Sequence, residues 1–247
     1  MFTGDIFMKP TGLTIALLLS PLALASLPLS AELTTPAIST SANVTLTSDY
    51  VFRGISQSSE NIAIQGGLDV GHSSGAYAGV WASSVDFDDG NENGTVELDI
   101  YAGFATSIDE VTLDAAFLHY DYPGSGNADF DYQELAVSMA YDFVSLSLNY
   151  SPDYFGEAGE FWYPALSVSH TLPMGLTISG SAGYNAIDEE DTFGTDDYTD
   201  WSIYVSKTLA GLDATVGYTD TDLDSGECFG GSGLCDPRVV FSVSRSF

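Results

Sequence analysis

Positive charge is what this chain lacks most. Five Lys and Arg stand against 35 Asp and Glu in 247 residues, a formal net charge of −30. Clustered bases are needed to neutralise a phosphate backbone, so nucleic acid is excluded as a partner. Cysteine is nearly absent: only Cys228 and Cys235 occur, too few for a disulfide-stapled miniprotein. In an exported chain the pair reads as a disulfide tightening one loop, and no histidine lies close enough to make it a metal pair. The body of the chain has no run of the roughly 18 apolar residues that a spanning helix needs. Histidine is confined to His72, His119 and His170, none with an evident Ser and acid partner for nucleophilic catalysis. An outer-membrane enzyme is therefore the weakest of the functional readings. Aromatic residues are plentiful. Fourteen Tyr, 14 Phe and 3 Trp are incompatible with the disorder that such acidity would otherwise imply.

The one long apolar segment is at the start. Lys9 precedes a leucine-rich stretch that ends in small residues, the pattern of a secretory signal peptide. We place it at residues 1–31, cleaved after Ala31 or, as second choice, Ala25, and Met8 is an alternative start. Residues 32–42 read as a periplasmic segment and 43–247 as the folded body. Export removes cytosolic functions.

From residue 43 onward the sequence falls into segments of about ten alternating residues, the length a tilted strand needs to cross a bilayer. Twelve such segments are expected, at 43–52, 61–72, 76–87, 96–105, 111–122, 132–143, 144–155, 161–172, 176–187, 198–209, 212–221 and 236–247. The fourth alternates most strictly, with Val96, Leu98, Ile100, Ala102 and Phe104 against Glu97, Asp99, Tyr101, Gly103 and Ala105. In the first, Val44, Leu46, Tyr50 and Phe52 form the apolar side; in the third, Tyr77, Trp81, Val85 and Phe87 do. Short and long connectors take turns, as in outer-membrane barrels with short periplasmic turns and long external loops. The expectation is an all-β, antiparallel transmembrane β-barrel of about twelve strands. A soluble β-sandwich also alternates, but it has no reason to alternate its loop lengths.

The last segment, D-P-R-V-V-F-S-V-S-R-S-F, ends on Phe247 with Val239, Phe241 and Val243 in the same register. A strand with such an apolar face needs lipid on that face and a partner on each edge. Together with S-A-N-V-T-L-T-S-D-Y-V-F-R-G-I-S-Q-S at 41–58, the ending R-V-V-F-S-V-S-R-S-F resembles the TorF family of porins, and the resemblance covers most of the mature chain. It implies an outer-membrane barrel with a transport role and carries over no catalytic residues. The ending is also similar to the signal read by barrel-assembly machinery, through Val239, Phe241, Val243 and Phe247. Arg245 departs from it, where an aromatic residue is usual.

If the apolar faces meet lipid, the opposite faces line a lumen. Asp49, Asp69, Glu97, Asp99, Asp114 and Glu134 fall on the inward register, with Arg53 as the only inward base. Rings of Asp and Glu favour cations. The functional expectation is a porin for passive diffusion of small hydrophilic solutes, cation-preferring, in a bacterial outer membrane. The alternative is a non-conducting structural or adhesive barrel whose inward acids bond one another. No cofactor or metal is expected, because the acidic loop at 86–92 places Gly90 where a third calcium ligand would stand. Expected partners are outer-membrane lipid, the barrel-assembly machinery and small hydrophilic solutes or cations. The solute and the oligomeric state are not legible.

Overall fold

Strict alternation gives each strand one apolar and one polar face. In lipid, only a closed sheet satisfies both faces and every backbone N–H and C=O. The computed structural model adopts that solution. It describes residues 37–87, 95–125, 130–224 and 226–247, together with the backbone of a two-residue pairing between Leu17–Leu18 and Ala23–Leu24. The expected signal peptide and the expected cleavage site lie outside the described residues, apart from that short pairing.

Among the described residues, twelve strands form a closed barrel. They are β1 (Ile38–Thr47), β2 (Ala63–His72), β3 (Ala76–Ser84), β4 (Val96–Ile108), β5 (Val111–Asp121), β6 (Tyr132–Tyr141), β7 (Val144–Ser151), β8 (Phe161–Leu172), β9 (Leu176–Ile187), β10 (Tyr198–Leu209), β11 (Leu212–Thr221) and β12 (Arg238–Ser246). Each strand pairs antiparallel with its sequence neighbours. The barrel closes where β12 meets β1, with Ser242 opposite Thr47 and Ser246 opposite Asn43. Phe247 extends this seam: its N–H donates to the Ala42 carbonyl at 2.8 Å, and the Ala42 N–H donates back to the Phe247 carbonyl at 3.2 Å. Five tight turns at one end alternate with six longer loops at the other.

The outer surface is an apolar belt. Ile64, Ile100, Leu135, Ile203 and Phe241 all point outward and are about half exposed. In lipid these side chains are covered by acyl chains. The inner wall near the tight turns is small and hydroxylic, with half-exposed Ser145, Ser147, Ser167, Ser169, Ser179 and Ser181. Inward glycines on this wall make room for tyrosine rings. Gly79 faces Tyr101 on the neighbouring strand, Gly103 faces Tyr77, and Gly217 faces Tyr204; in each case a Cβ on the glycine would run into the ring.

Two assignments from the sequence are corrected. The first strand is β1, not 43–52. It begins at Ile38, inside the expected periplasmic segment, and ends at Thr47. The chain then turns into the barrel, so Tyr50 and Phe52 are buried in the lumen rather than facing lipid. The third segment has its faces reversed. Val80 is exposed on the outside while Trp81 is buried inside, and Tyr77 bonds to the lumenal Asp114. Alternation fixes which residues share a face, but an aromatic residue can serve either lipid or a packed interior.

Candidate functional site: a hairpin latched across the lumen

After β1 the first long loop, residues 48–62, folds back into the barrel as a miniature hairpin. Val51–Phe52 pairs with Ile55–Ser56 around Arg53 and Gly54. Both central residues have positive φ, 47° for Arg53 and 82° for Gly54. A two-residue turn of that handedness matches the twist of its flanking strands, and glycine at its second position carries no steric penalty. The sequence F-R-G-I therefore encodes a turn tip. A Cβ on Gly54 would press into Thr221 of β11 and Asp200 of β10, so the tip reaches the wall.

The root of the hairpin is held by Asp49. Its Oδ1 accepts from the Ser56 hydroxyl at 2.6 Å and the Ser58 hydroxyl at 2.9 Å. Its Oδ2 accepts from Arg238 Nη1 at 2.8 Å, and Arg238 also donates to the Gly233 carbonyl at 2.6 Å. Arg238 is thus a second inward base, which the sequence reading missed. It sits at the first position of β12, in register with Val240 and Ser242, and that register was the signal available.

The tip is held by Arg53. Nη1 donates to Glu134 Oε1 at 2.8 Å and Nη2 donates to Glu134 Oε2 at 2.9 Å. The pair is almost wholly desolvated, with side-chain exposures of 2% and 0%. The guanidinium also lies 4.5 Å from the Tyr163 ring centroid, 4.6 Å from Phe52 and 4.8 Å from Phe161. Tyr198 donates its hydroxyl to the Arg53 carbonyl at 3.0 Å. Glu134 lies on β6, almost diametrically across the barrel from β1, while Tyr50 donates to Glu97 on β4 at 2.9 Å. One hairpin therefore braces β4, β6 and β10 from a root on β1. Tyr120, Tyr132 and Phe161 fill the space around it, all buried.

The other inward acids divide by height. Asp99 is fully buried with its carboxyl group beside that of Glu97. Asn149 donates to Glu134 at 2.9 Å. Towards the tight turns, Asp69 accepts from the Tyr101 hydroxyl, and Asp114 accepts from Tyr77 at 2.9 Å. A further acid that the sequence reading did not single out, Asp200, accepts from Asn185 at 3.0 Å and Tyr163 at 3.2 Å. Asp49, Glu97 and Glu134 are thus gathered on the hairpin, with Asp99 alongside. Asp69 and Asp114 belong to the lower wall.

The cysteines are joined: Cys228 and Cys235 have an S–S distance of 2.02 Å and pinch the last long loop. Two of the histidines make local contacts. His72 Nδ1 lies 2.9 Å from Ser74 Oγ within a tight turn, and the His170 ring meets the Phe143 ring edge-on at 6.2 Å. Val239, Phe241, Val243 and Phe247 all project from the outer face, and the Arg245 guanidinium lies 5.2 Å from the Phe247 ring centroid.

A family model described as a bacterial protein of unknown function, Gcw_chp, matches residues 31–247. No curated protein matches the chain. Among solved structures, the KdgM porin superposes with a TM-score of 0.55 at 11% identity, over 84% of this chain and 99% of that one. The NanC porin superposes with a TM-score of 0.52 at 10% identity, over 83% of this chain and 98% of that one. At such identities the likeness speaks for the fold, a barrel of matching size and closure.

Proposed function

This chain belongs to the Gcw_chp family of bacterial proteins of unknown function, and we propose that it is an outer-membrane porin whose lumen is gated by the Arg53 hairpin. The observation that carries the reading is the pairing of an outer apolar belt with a hydroxylic inner wall in a closed barrel. A wall of serine and small residues serves water and hydrophilic solutes, and a merely structural barrel has no need of it. The barrel shared with two proteins named as porins supports the same reading. So does the resemblance of residues 41–58 and 238–247 to the TorF porins. Export through the leader and insertion by barrel-assembly machinery reading Phe247 belong to this proposal.

Cation preference is the finer part. Its support is the charge balance, since Asp49, Asp69, Glu97, Asp99, Asp114, Glu134 and Asp200 face Arg53 and Arg238 across the interior. Liposome swelling with neutral sugars of graded size tests the porin. Planar-bilayer reversal potentials in a KCl gradient test the selectivity, and anion preference would remove it. The hairpin itself favours a second reading, a barrel that conducts nothing. Absence of current from both the native protein and a hairpin-released variant would establish that reading over the first.

A further inference from the structure

Each of the six long loops sends one phenylalanine to the same place. Phe52, Phe87, Phe130, Phe155, Phe193 and Phe229 come from six different loops, and all line one cavity of about 800 Å³ above the hairpin. Phe130 and Phe155 stack at 4.5 Å between centroids with planes 8° apart. Phe87 meets them edge-on at 5.5 Å and 5.4 Å. Phe193 and Phe229 form a second edge-on pair at 5.6 Å. Phe87, Phe130, Phe155 and Phe193 also pack against the buried cluster beneath them, yet together the six rings leave an open space instead of closing it. A concave cavity that sets aromatic rings among polar groups is how a small-molecule site is built.

The polar groups that line it are acceptors or neutral. Glu60 and Glu157 stand in the wall with Gln57 and Thr192, and no Lys or Arg lines the cavity among the described residues. Arg53 lies beneath the floor, neutralised by Glu134, and Arg238 is bound to Asp49 with Glu60 at 3.8 Å. The loop 188–197, which supplies Thr192 and Phe193, also carries Asp188, Glu189, Glu190, Asp191, Asp196 and Asp197 and no base. Ring faces carry negative charge density and the rim carries formal negative charge, so both attract a cation while the rings also cover an apolar body.

We propose that this vestibule binds small organic cations with an aromatic or apolar body, and rejects organic anions. The inference rests on the porin reading only for its orientation, since it takes the long loops to face the exterior. It names the solute class that this mouth concentrates.

The test is titration calorimetry on the full-length barrel in detergent micelles with three probes of one size: benzylammonium, benzyl alcohol and benzoate. The expected order is benzylammonium first, by about three- to thirtyfold over the alcohol, with benzoate weakest and the gap narrowing at high salt. Glu60→Gln with Glu157→Gln should weaken the cation alone and leave the alcohol unchanged. Phe130→Leu and Phe155→Leu should weaken both. Equal binding of all three, tighter binding of benzoate, or no heat beyond that of empty micelles overturns the proposal. Because binding is read without flux, a barrel that binds the cation but carries no current defeats the porin reading and leaves this site standing.

Discussion

Replacing Arg53 with alanine tests whether the hairpin is a gate or a fixed part of the wall. The substitution removes a bidentate, desolvated ion pair together with the contacts to three ring faces. Deleting one partner of such a pair costs roughly 3–5 kcal/mol, most of it from the charge left behind. Here the stranded Glu134 keeps Asn149 at 2.9 Å and Tyr120 at 3.4 Å as donors, so the lower end of that range applies. About 3 kcal/mol is a roughly hundredfold shift in the docking equilibrium of the hairpin. The strand ladder shares no hydrogen bond with the Arg53 side chain, so the barrel stays closed while the hairpin is released. Planar-bilayer recording should show the Arg53→Ala protein open far more often than the native one, at larger unitary conductance. A heat-sensitive shift in gel mobility establishes that the variant is a folded barrel. Glu134→Ala should open the channel at least as much, because it strands Arg53 instead. The double variant Arg53→Ala with Glu134→Ala should fall short of the sum of the single effects. Folded Arg53→Ala barrels with native current traces, or a native barrel that is already fully open, would refute the reasoning.

Other consequences can be checked separately. Gly54→Ala puts a side chain at φ 82° against Thr221 and Asp200, and should release the hairpin without touching any charge, giving the same increase in open time. Asp99→Asn removes one of two acidic groups buried side by side, the other being Glu97, and should raise the urea midpoint, by about 1–3 kcal/mol in stability; a lower midpoint would overturn that reading. Gly79→Val collides with Tyr101 and breaks its bond to Asp69, costing about 1–3 kcal/mol, whereas Gly226→Ala, where an added Cβ meets no atom, should cost less. Deleting Phe247 removes two seam hydrogen bonds and the terminal aromatic group. It should lower the amount of inserted barrel while export across the inner membrane continues, and normal insertion would count against an assembly role.

Much of the barrel was legible because a membrane enforces one rule on every strand. Val96, Leu98, Ile100, Ala102 and Phe104 can sit only on one side, and the same logic, repeated with alternating loop lengths, fixed the count and the up-and-down order. The failures came where that rule stops. At residues 48–62 the alternation of Tyr50 and Phe52 continues the pattern of Val44 and Leu46, so the strand seemed to run on. The F-R-G-I turn was present as a signal, since arginine followed by glycine between apolar residues is a poor central stretch for a strand. Period two also cannot say whether Tyr77 and Trp81 face lipid or lumen. The adjacent glycines could have said it. Gly79 lies on the same face as Tyr77 and Trp81, and opposite it stands Tyr101, whose neighbours on the inward register are acids.

The inward acids illustrate a deeper limit of the same kind. Register placed Asp49, Glu97, Asp99 and Glu134 on one side of the wall, and counting charge then pointed to an acidic pore. Counting could not reveal that Arg53 arrives from a loop to take up Glu134, or that Arg238 takes up Asp49, because both pairings join residues far apart in the chain. Once those pairs are formed, the formal charge of the outer lumen falls and its selectivity depends on what remains unpaired. Asp99 takes part in neither ion pair and stays buried beside Glu97. It lies beneath a vestibule ringed by Glu60, Glu157 and six phenylalanines. The cation preference proposed above then rests on the acids between the rim and Asp99 that these pairings leave. The total of 35 acidic residues does not determine it.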